Sequence, residues 1–192
     1  MRRSLAVNQK YGKSGVALAL GSLGALLWLA AACAHQTVKL TGNHPRIAAQ
    51  PAGPIAPGRI LTMAVVFKTR NPAELSQFLA EQQDPSSPNY HRWLTPQEFA
   101  RRFGPDPEQV KAVRDWLAAC GFEIVSWSPP QRSITFKGSA DLAERVFKTR
   151  ILTYAGGAYA NADDPSIPAR FAGIIAAISG LDNTARAVPA DD

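Results

Sequence analysis

A histidine among aromatic residues, a pair of adjacent carboxylates, a pair of adjacent arginines and two cysteines are the groups in this 192-residue chain that could do chemistry. His91 stands in Tyr90-His-Arg-Trp93, and an imidazole titrating near neutrality could serve as a base or a pH switch. The preferred reading is plainer: a structural hydrogen-bonding residue at the lip of a sheet. Trp93 and Leu94 are expected to pack that loop onto the core, with a partner contact as the alternative for Trp93. Asp163-Asp164, followed by Pro165, reads as a solvated turn, because a calcium site would need several more oxygen ligands. Arg101-Arg102 reads as a solvated helix face that could meet carboxylates on a partner. Cys120, just ahead of Gly121, reads as a small buried apolar residue left without a disulfide partner once a leader is removed. No metal or cofactor site is expected.

The leader lies at the amino terminus. Arg2, Arg3, Lys10 and Lys13 precede an apolar run from Gly15 to Ala34 that includes Leu26-Leu-Trp-Leu29, the pattern of an export signal. The run is also near the lower length limit for a membrane-spanning helix, so an uncleaved anchor is the competing reading. Ala32-Cys33-Ala34 suits ordinary signal cleavage before His35, whereas Leu29-Ala-Ala-Ala-Cys33 resembles a lipobox that would make Cys33 a lipid attachment site. Subtracting those four basic residues from the formal charge of +6 leaves +2, which does not indicate a nucleic-acid partner. The expected location is outside the cytoplasm, secreted or periplasmic, with membrane attachment through the amino terminus as an option.

Residues 35–58 are rich in Pro, Gly and Ala with no apolar period, and read as a linker. From Arg59 the character changes. Ile60 to Phe67 is a strand with Leu61, Met63, Val65 and Phe67 on one face and Ile60, Thr62, Ala64 and Val66 on the other. Apolar content on both faces places it in the middle of a sheet and predicts cover for both. Asn71-Pro-Ala-Glu74, Thr95-Pro-Gln-Glu98 and Asp106-Pro-Glu-Gln109 each combine an oxygen-bearing cap, a proline at the first helical position and a Glu or Gln able to reach back. They predict three helix starts. The expected buried stripes are Leu75, Phe78, Leu79 and Gln82, then Phe99 and Phe103, then Val110, Val113, Trp116 and Leu117.

Gly121 should stop the third helix, with strands following at Phe122 to Trp127 and Ser133 to Lys137. A helix after Ser139 buries Leu142, Ala143, Val146 and Phe147, and Ile151 to Tyr154 returns as a fourth strand. This order predicts an α+β domain, a ferredoxin-like antiparallel sheet with helices on one face, preceded by the signal or anchor helix. Too few helices remain for the second face, which suggests a docking surface. Phe171 to Ile178 reads as a core helix or strand, and 184–192 as a polar tail.

The ordered set Ser87-Pro-Asn-Tyr-His-Arg-Trp-Leu-Thr-Pro96, Phe99, Phe103-Gly-Pro105, Ile134-Thr-Phe-Lys-Gly138, Pro165-Ser-Ile-Pro-Ala169 and Gly180-Leu-Asp-Asn183 resembles the activation domain, or prodomain, of the sedolisin and kumamolisin serine-carboxyl peptidases. The resemblance covers about residues 59–183. It implies a shape and use like those of subtilisin-type prodomains: packing the sheet on a catalytic domain, assisting its folding and laying the carboxy-terminal tail near its cleft until cleavage in acid. The family's catalytic Ser, Glu and Asp and its calcium loop belong to the part not matched. No Gly-Thr-Ser segment of the nucleophile type occurs in this chain, and no nucleophile, base and orienting acid can be assigned. The chain itself is therefore expected not to be an enzyme.

The leading expectation is an exported binding module that folds or inhibits a sedolisin-type catalytic domain, with His91, Trp93, Arg101, Arg102, Tyr154, Asp182 and Asn183 as candidate partner contacts. A truncated piece of a peptidase precursor with no independent activity, and an exported domain with another recognition task, are the alternatives.

Overall fold

The computed structural model describes residues 36–130 and 132–184. The expected leader over residues 1–34, with its lipidation site Cys33, lies outside them, as does the tail beyond Thr184. Among the described residues no helix is long and apolar enough to cross a membrane.

Among the described residues nine strands and four α-helices follow one another as β1 (Thr37–Lys39), β2 (Gly53–Pro54), β3 (Ile60–Phe67), α1 (Pro72–Gln83), α2 (Pro96–Phe103), α3 (Pro107–Ala119), β4 (Glu123–Ser128), β5 (Ser133–Ser139), α4 (Ala140–Phe147), β6 (Ile151–Thr153), β7 (Tyr159–Asn161), β8 (Ser166–Pro168) and β9 (Ile175–Ser179). The class is α+β with antiparallel sheets, as expected. The main sheet has the order β4-β5-β3-β9, so β3 is interior, as its apolar sequence requires. The fourth place differs from expectation. The segment at Ile151 does form a strand, but it joins a separate sheet of order β2-β6-β7, and the main sheet is completed by Ile175–Ser179.

Alternation along β3 divides the sheet into two unlike faces. Leu61, Met63, Val65 and Phe67 are buried with Ile134, Phe136 and Ile178 in one core, joined by Val113, Trp116 and Leu117 of α3 and Ala140, Ala143 and Phe147 of α4. Aromatic rings fasten these layers: Phe122 meets Phe136 at 5.0 Å and Phe147 at 5.5 Å, and Trp116 meets Phe147 at 6.2 Å. Gly138 leaves room for this stack, since a Cβ there would lie 2.5 Å from the Phe122 ring.

The helix starts form as their sequences dictate, with one variation. At Thr95 the complete capping box is present, and the Asp106 carboxylate accepts from the Glu108 N–H at 2.8 Å. Asn71 instead takes a left-handed conformation and donates its amide to the Glu74 carboxylate at 3.2 Å. α1 and α2 build a satellite cluster in which buried Phe103 meets Phe78 at 6.4 Å and Phe99 at 5.4 Å. Leu79, expected in the buried stripe of α1, is instead 51% exposed, because α1 buries only the narrow face of Phe78 and Gln82.

Residues 36–58 are part of the fold rather than a linker. β1 pairs with β8 and β2 with β6, while Leu40 and Ile55 enter the core. The Pro and Gly content that suggested a tether instead divides this strap into strands of three and two residues, too short to show a period.

Candidate functional site

The second face of the main sheet carries Ile60, Thr62, Ala64 and Val66 of β3. Register across the sheet sets them beside Thr135 and Lys137 of β5, Ser126 of β4, and Ala177 and Ser179 of β9. Each of these residues is exposed or half-buried, and Ile60 is 63% exposed. Cover for both faces of β3 was the expectation from its composition; the structure corrects it, because α3 and α4 both enter the opposite core. What remains is a broad, weakly polar surface of short side chains. Such residues lose little rotamer freedom when covered and let another backbone approach closely.

The aromatic loop between α1 and α2 is held from beneath. Gln82, almost fully buried, donates its side-chain amide to the Arg92 carbonyl and accepts at its backbone carbonyl from the His91 N–H at 3.2 Å. His91 adopts a left-handed backbone (φ 55°) and its ring stacks on Tyr90 at 3.8 Å, with Trp93 at 6.5 Å. Trp93 is 72% exposed, so the expectation that it packs on the core is corrected; Leu94 is half-buried. Gln82 closes the loop from below and leaves the aromatic surfaces outside.

The two arginines part company. Arg102 is fixed rather than loosely solvated: its Nε donates to Glu74 at 2.7 Å, and its guanidinium lies 4.7 Å from the Phe78 ring and 5.0 Å from that of Phe103. That hydrogen bond from Arg102 is the chief cause that lowers the Glu74 pKa. Arg101 is exposed and offers its carbonyl to Arg70 at 2.9 Å.

Near the carboxy-terminal end, Asn183 exchanges two bonds with the Tyr159 backbone, accepting at its side chain (2.6 Å) and donating from its N–H (3.0 Å). Asp182 accepts from the Thr184 N–H and hydroxyl at 3.1 and 3.0 Å. Tyr154 is half-buried in the wall of a cleft shared with His44, Arg46 and Asn161. His91 and Trp93 therefore share one loop, Arg101 and Arg102 diverge on α2, and Asp182 and Asn183 lie near the end of the described residues, tied to Tyr159 and Thr184.

Asp164 corrects the solvated-turn reading. Its carboxylate accepts from the Asn43 N–H at 2.8 Å, the Gly42 N–H at 3.1 Å and the His44 Nδ1–H at 2.7 Å, and its side chain is only 16% exposed. The bond from His44 is the largest cause holding the Asp164 pKa below the usual carboxylate value. Asn43 in turn clamps Ile178 of β9 through both its side-chain atoms, at 2.9 and 2.6 Å. Asn161 donates to the Asn43 and Asp163 carbonyls, while its buried Oδ1 has no partner among the described residues. The only sequence signal for this clamp was the turn-forming Gly42-Asn43 pair. Cys120 is half-buried against the core, in line with its reading as a small packed residue. Among the described residues no group of three or more His, Cys, Asp or Glu is placed to hold a metal ion.

Comparison with known proteins gives the family. A family model described as the pro-kumamolisin activation domain matches residues 48–184. Xanthomonalisin from Xanthomonas sp. (strain T-22) is 33% identical over 150 residues, which is 77% of this chain and 18% of that protein. Sedolisin from Pseudomonas sp. (strain 101) is 28% identical over 144 residues, 73% of this chain and 24% of the relative. Tripeptidyl-peptidase 1 from Mus musculus is 34% identical over 76 residues, 37% of this chain and 14% of its own length. The chain thus spans less than a quarter of the length of the curated relatives it matches.

Proposed function

Because the chain belongs to the pro-kumamolisin activation-domain family, we propose that it is an exported folding assistant and inhibitor of a sedolisin-type serine-carboxyl peptidase. It docks on the catalytic domain through the open face of its ferredoxin-like sheet. The observation that carries this reading is the unequal treatment of the two faces of β3, one buried under α3 and α4 and the other left as a surface of Thr, Ala, Ser and Val. A partner that dries this face gains apolar contact from Ile60, Val66 and Ala177, and the long charged side chains it meets include Lys137 and its register partner Glu123.

The carboxy-terminal segment supplies the second part of the mechanism. Asn183 is tied to the Tyr159 backbone, and in this reading the residues after Thr184 serve as an extended peptide for the partner's cleft. Affinity then comes mainly from the sheet and occlusion mainly from the tail. The catalytic Ser, Glu and Asp reside on the partner, and this chain hydrolyses nothing by itself. Export follows from the basic and apolar leader, with either cleavage before His35 or lipidation of Cys33 producing the mature end.

The test is an inhibition assay with the full chain, and with a chain ending at Thr184, against a sedolisin-type catalytic domain. Removing the tail should weaken inhibition more than binding. Equal loss of both, or no inhibition by the full chain, contradicts the division of labour between sheet and tail.

A further inference from the structure

On the helix side of the sheet, α2, α3 and the turn between β4 and β5 enclose an open groove of about 750 Å³. Its walls are largely apolar: Ala100, Val110, the indole of Trp127, and prolines at the α2–α3 connection and at the hairpin turn. Proline offers no backbone N–H, so these walls hold apolar groups and give few hydrogen bonds. Polar capacity is confined to the rim, where Arg101, Lys111 and Arg114 outnumber Glu108.

Apart from Glu108 on the rim, the neighbouring acids are already engaged. Lys111 is paired with Asp115 at 2.6 Å, Glu98 is held in the Thr95 capping box, and Asp106 caps α3. Among the described residues neither Arg101 nor Arg114 takes part in an ion pair, although both are exposed. Two guanidiniums outside any close ion pair, each with a carboxylate of its own helix in the vicinity, thus flank an apolar slot. Arginine clusters beside such grooves recognise acidic segments through charge-assisted bonds, while the slot takes the side chains between the acids.

We propose that this groove is a second docking site, whose occupant is an extended peptide with apolar side chains in the slot and carboxylates on Arg101 and Arg114. Trp127 pairs with Ile134 of the buried face and meets Phe67 edge-on at 5.6 Å, so the groove lies on the opposite side of the sheet from the open face. The site stands independently of the inhibitor reading, and both faces can be occupied at once.

The test measures fluorescence anisotropy of a short labelled peptide, with Leu and Phe at its centre and Asp on both flanks, titrated with the full chain. Saturable binding should weaken at least about tenfold in the Arg101→Gln, Arg114→Gln double variant and weaken as salt is raised. Because both side chains are exposed, the variant should keep the wild-type far-ultraviolet circular dichroism. A Lys-flanked version of the peptide should not bind. Absence of saturable binding, equal binding of the Lys-flanked peptide, or unchanged affinity in the double variant overturns the proposal. Displacement of the peptide by decanoate at matching concentration also overturns it, by assigning the groove to small amphipathic carboxylates.

Discussion

Asp164 ties together residues 120 to 122 positions apart, because one short carboxylate can accept from two backbone amides and an imidazole at once. Asp164→Ala should therefore free the strap at Gly42 to His44 and lower stability by on the order of 1 kcal/mol. Hydrogen exchange should accelerate first at Asn43 and Ile178, and unchanged exchange there would show that the clamp is incidental. The same carboxylate fixes a direction with pH. Its pKa, like those of Glu74 and Glu98, is lowered in the folded chain from reference values of 3.8 for Asp and 4.5 for Glu. Such groups stabilise the fold fully above those reference values, and the contribution is lost as pH falls through the lower folded values. The urea midpoint should accordingly stay flat from neutrality to about pH 5 and fall below about pH 4.5; a midpoint that rises on acidification contradicts this accounting. Gly180 makes a different demand. It has φ +84°, and a Cβ there would lie 2.3 Å from the Thr62 carbonyl oxygen, so Gly180→Ala should cost at least about 2 kcal/mol in thermal or urea unfolding.

At the scale of elements, local chemistry was legible and distant pairing was not. The Thr95 and Asp106 starts and the bounds of β3 are written in neighbouring residues, and each formed where its sequence placed it. Thr95→Ala, which removes one side of the capping box, should cost about 1 kcal/mol, measured by equilibrium unfolding. The place of β9 could not be read in the same way. Ile151–Thr153 and Ile175–Ser179 are both short apolar strands, and the choice between them depends on pairing with β3 and on the Asn43 clamp to Ile178. The strap over residues 36–58 escaped notice for a related reason. It holds its place through β8, β6 and Asp164, all more than 90 residues later in the chain.

For the molecule as a whole, the candidate contacts named from sequence lie on separate surfaces rather than in a single site. Trp93 is the sharpest instance, since its side chain is open to solvent while Gln82 holds the loop from below. Trp93→Ala should change stability by no more than about 0.5 kcal/mol, so any larger effect on association reports a contact with the partner. The open sheet face makes the stronger claim, because its Thr and Ala residues sit on rigid interior strands whose buried neighbours keep them in place. The most direct measurement is isothermal titration calorimetry of a sedolisin-type catalytic domain with the full chain and with its Thr62→Arg, Thr135→Arg double variant. Both substitutions lie on the open face and leave the buried core untouched. If the open face is the docking surface, the wild-type chain binds and the double variant loses at least about a hundredfold in affinity, a change of about 2.7 kcal/mol, while retaining its circular dichroism and thermal midpoint. Equal affinity of the two chains, or no binding by either, contradicts it.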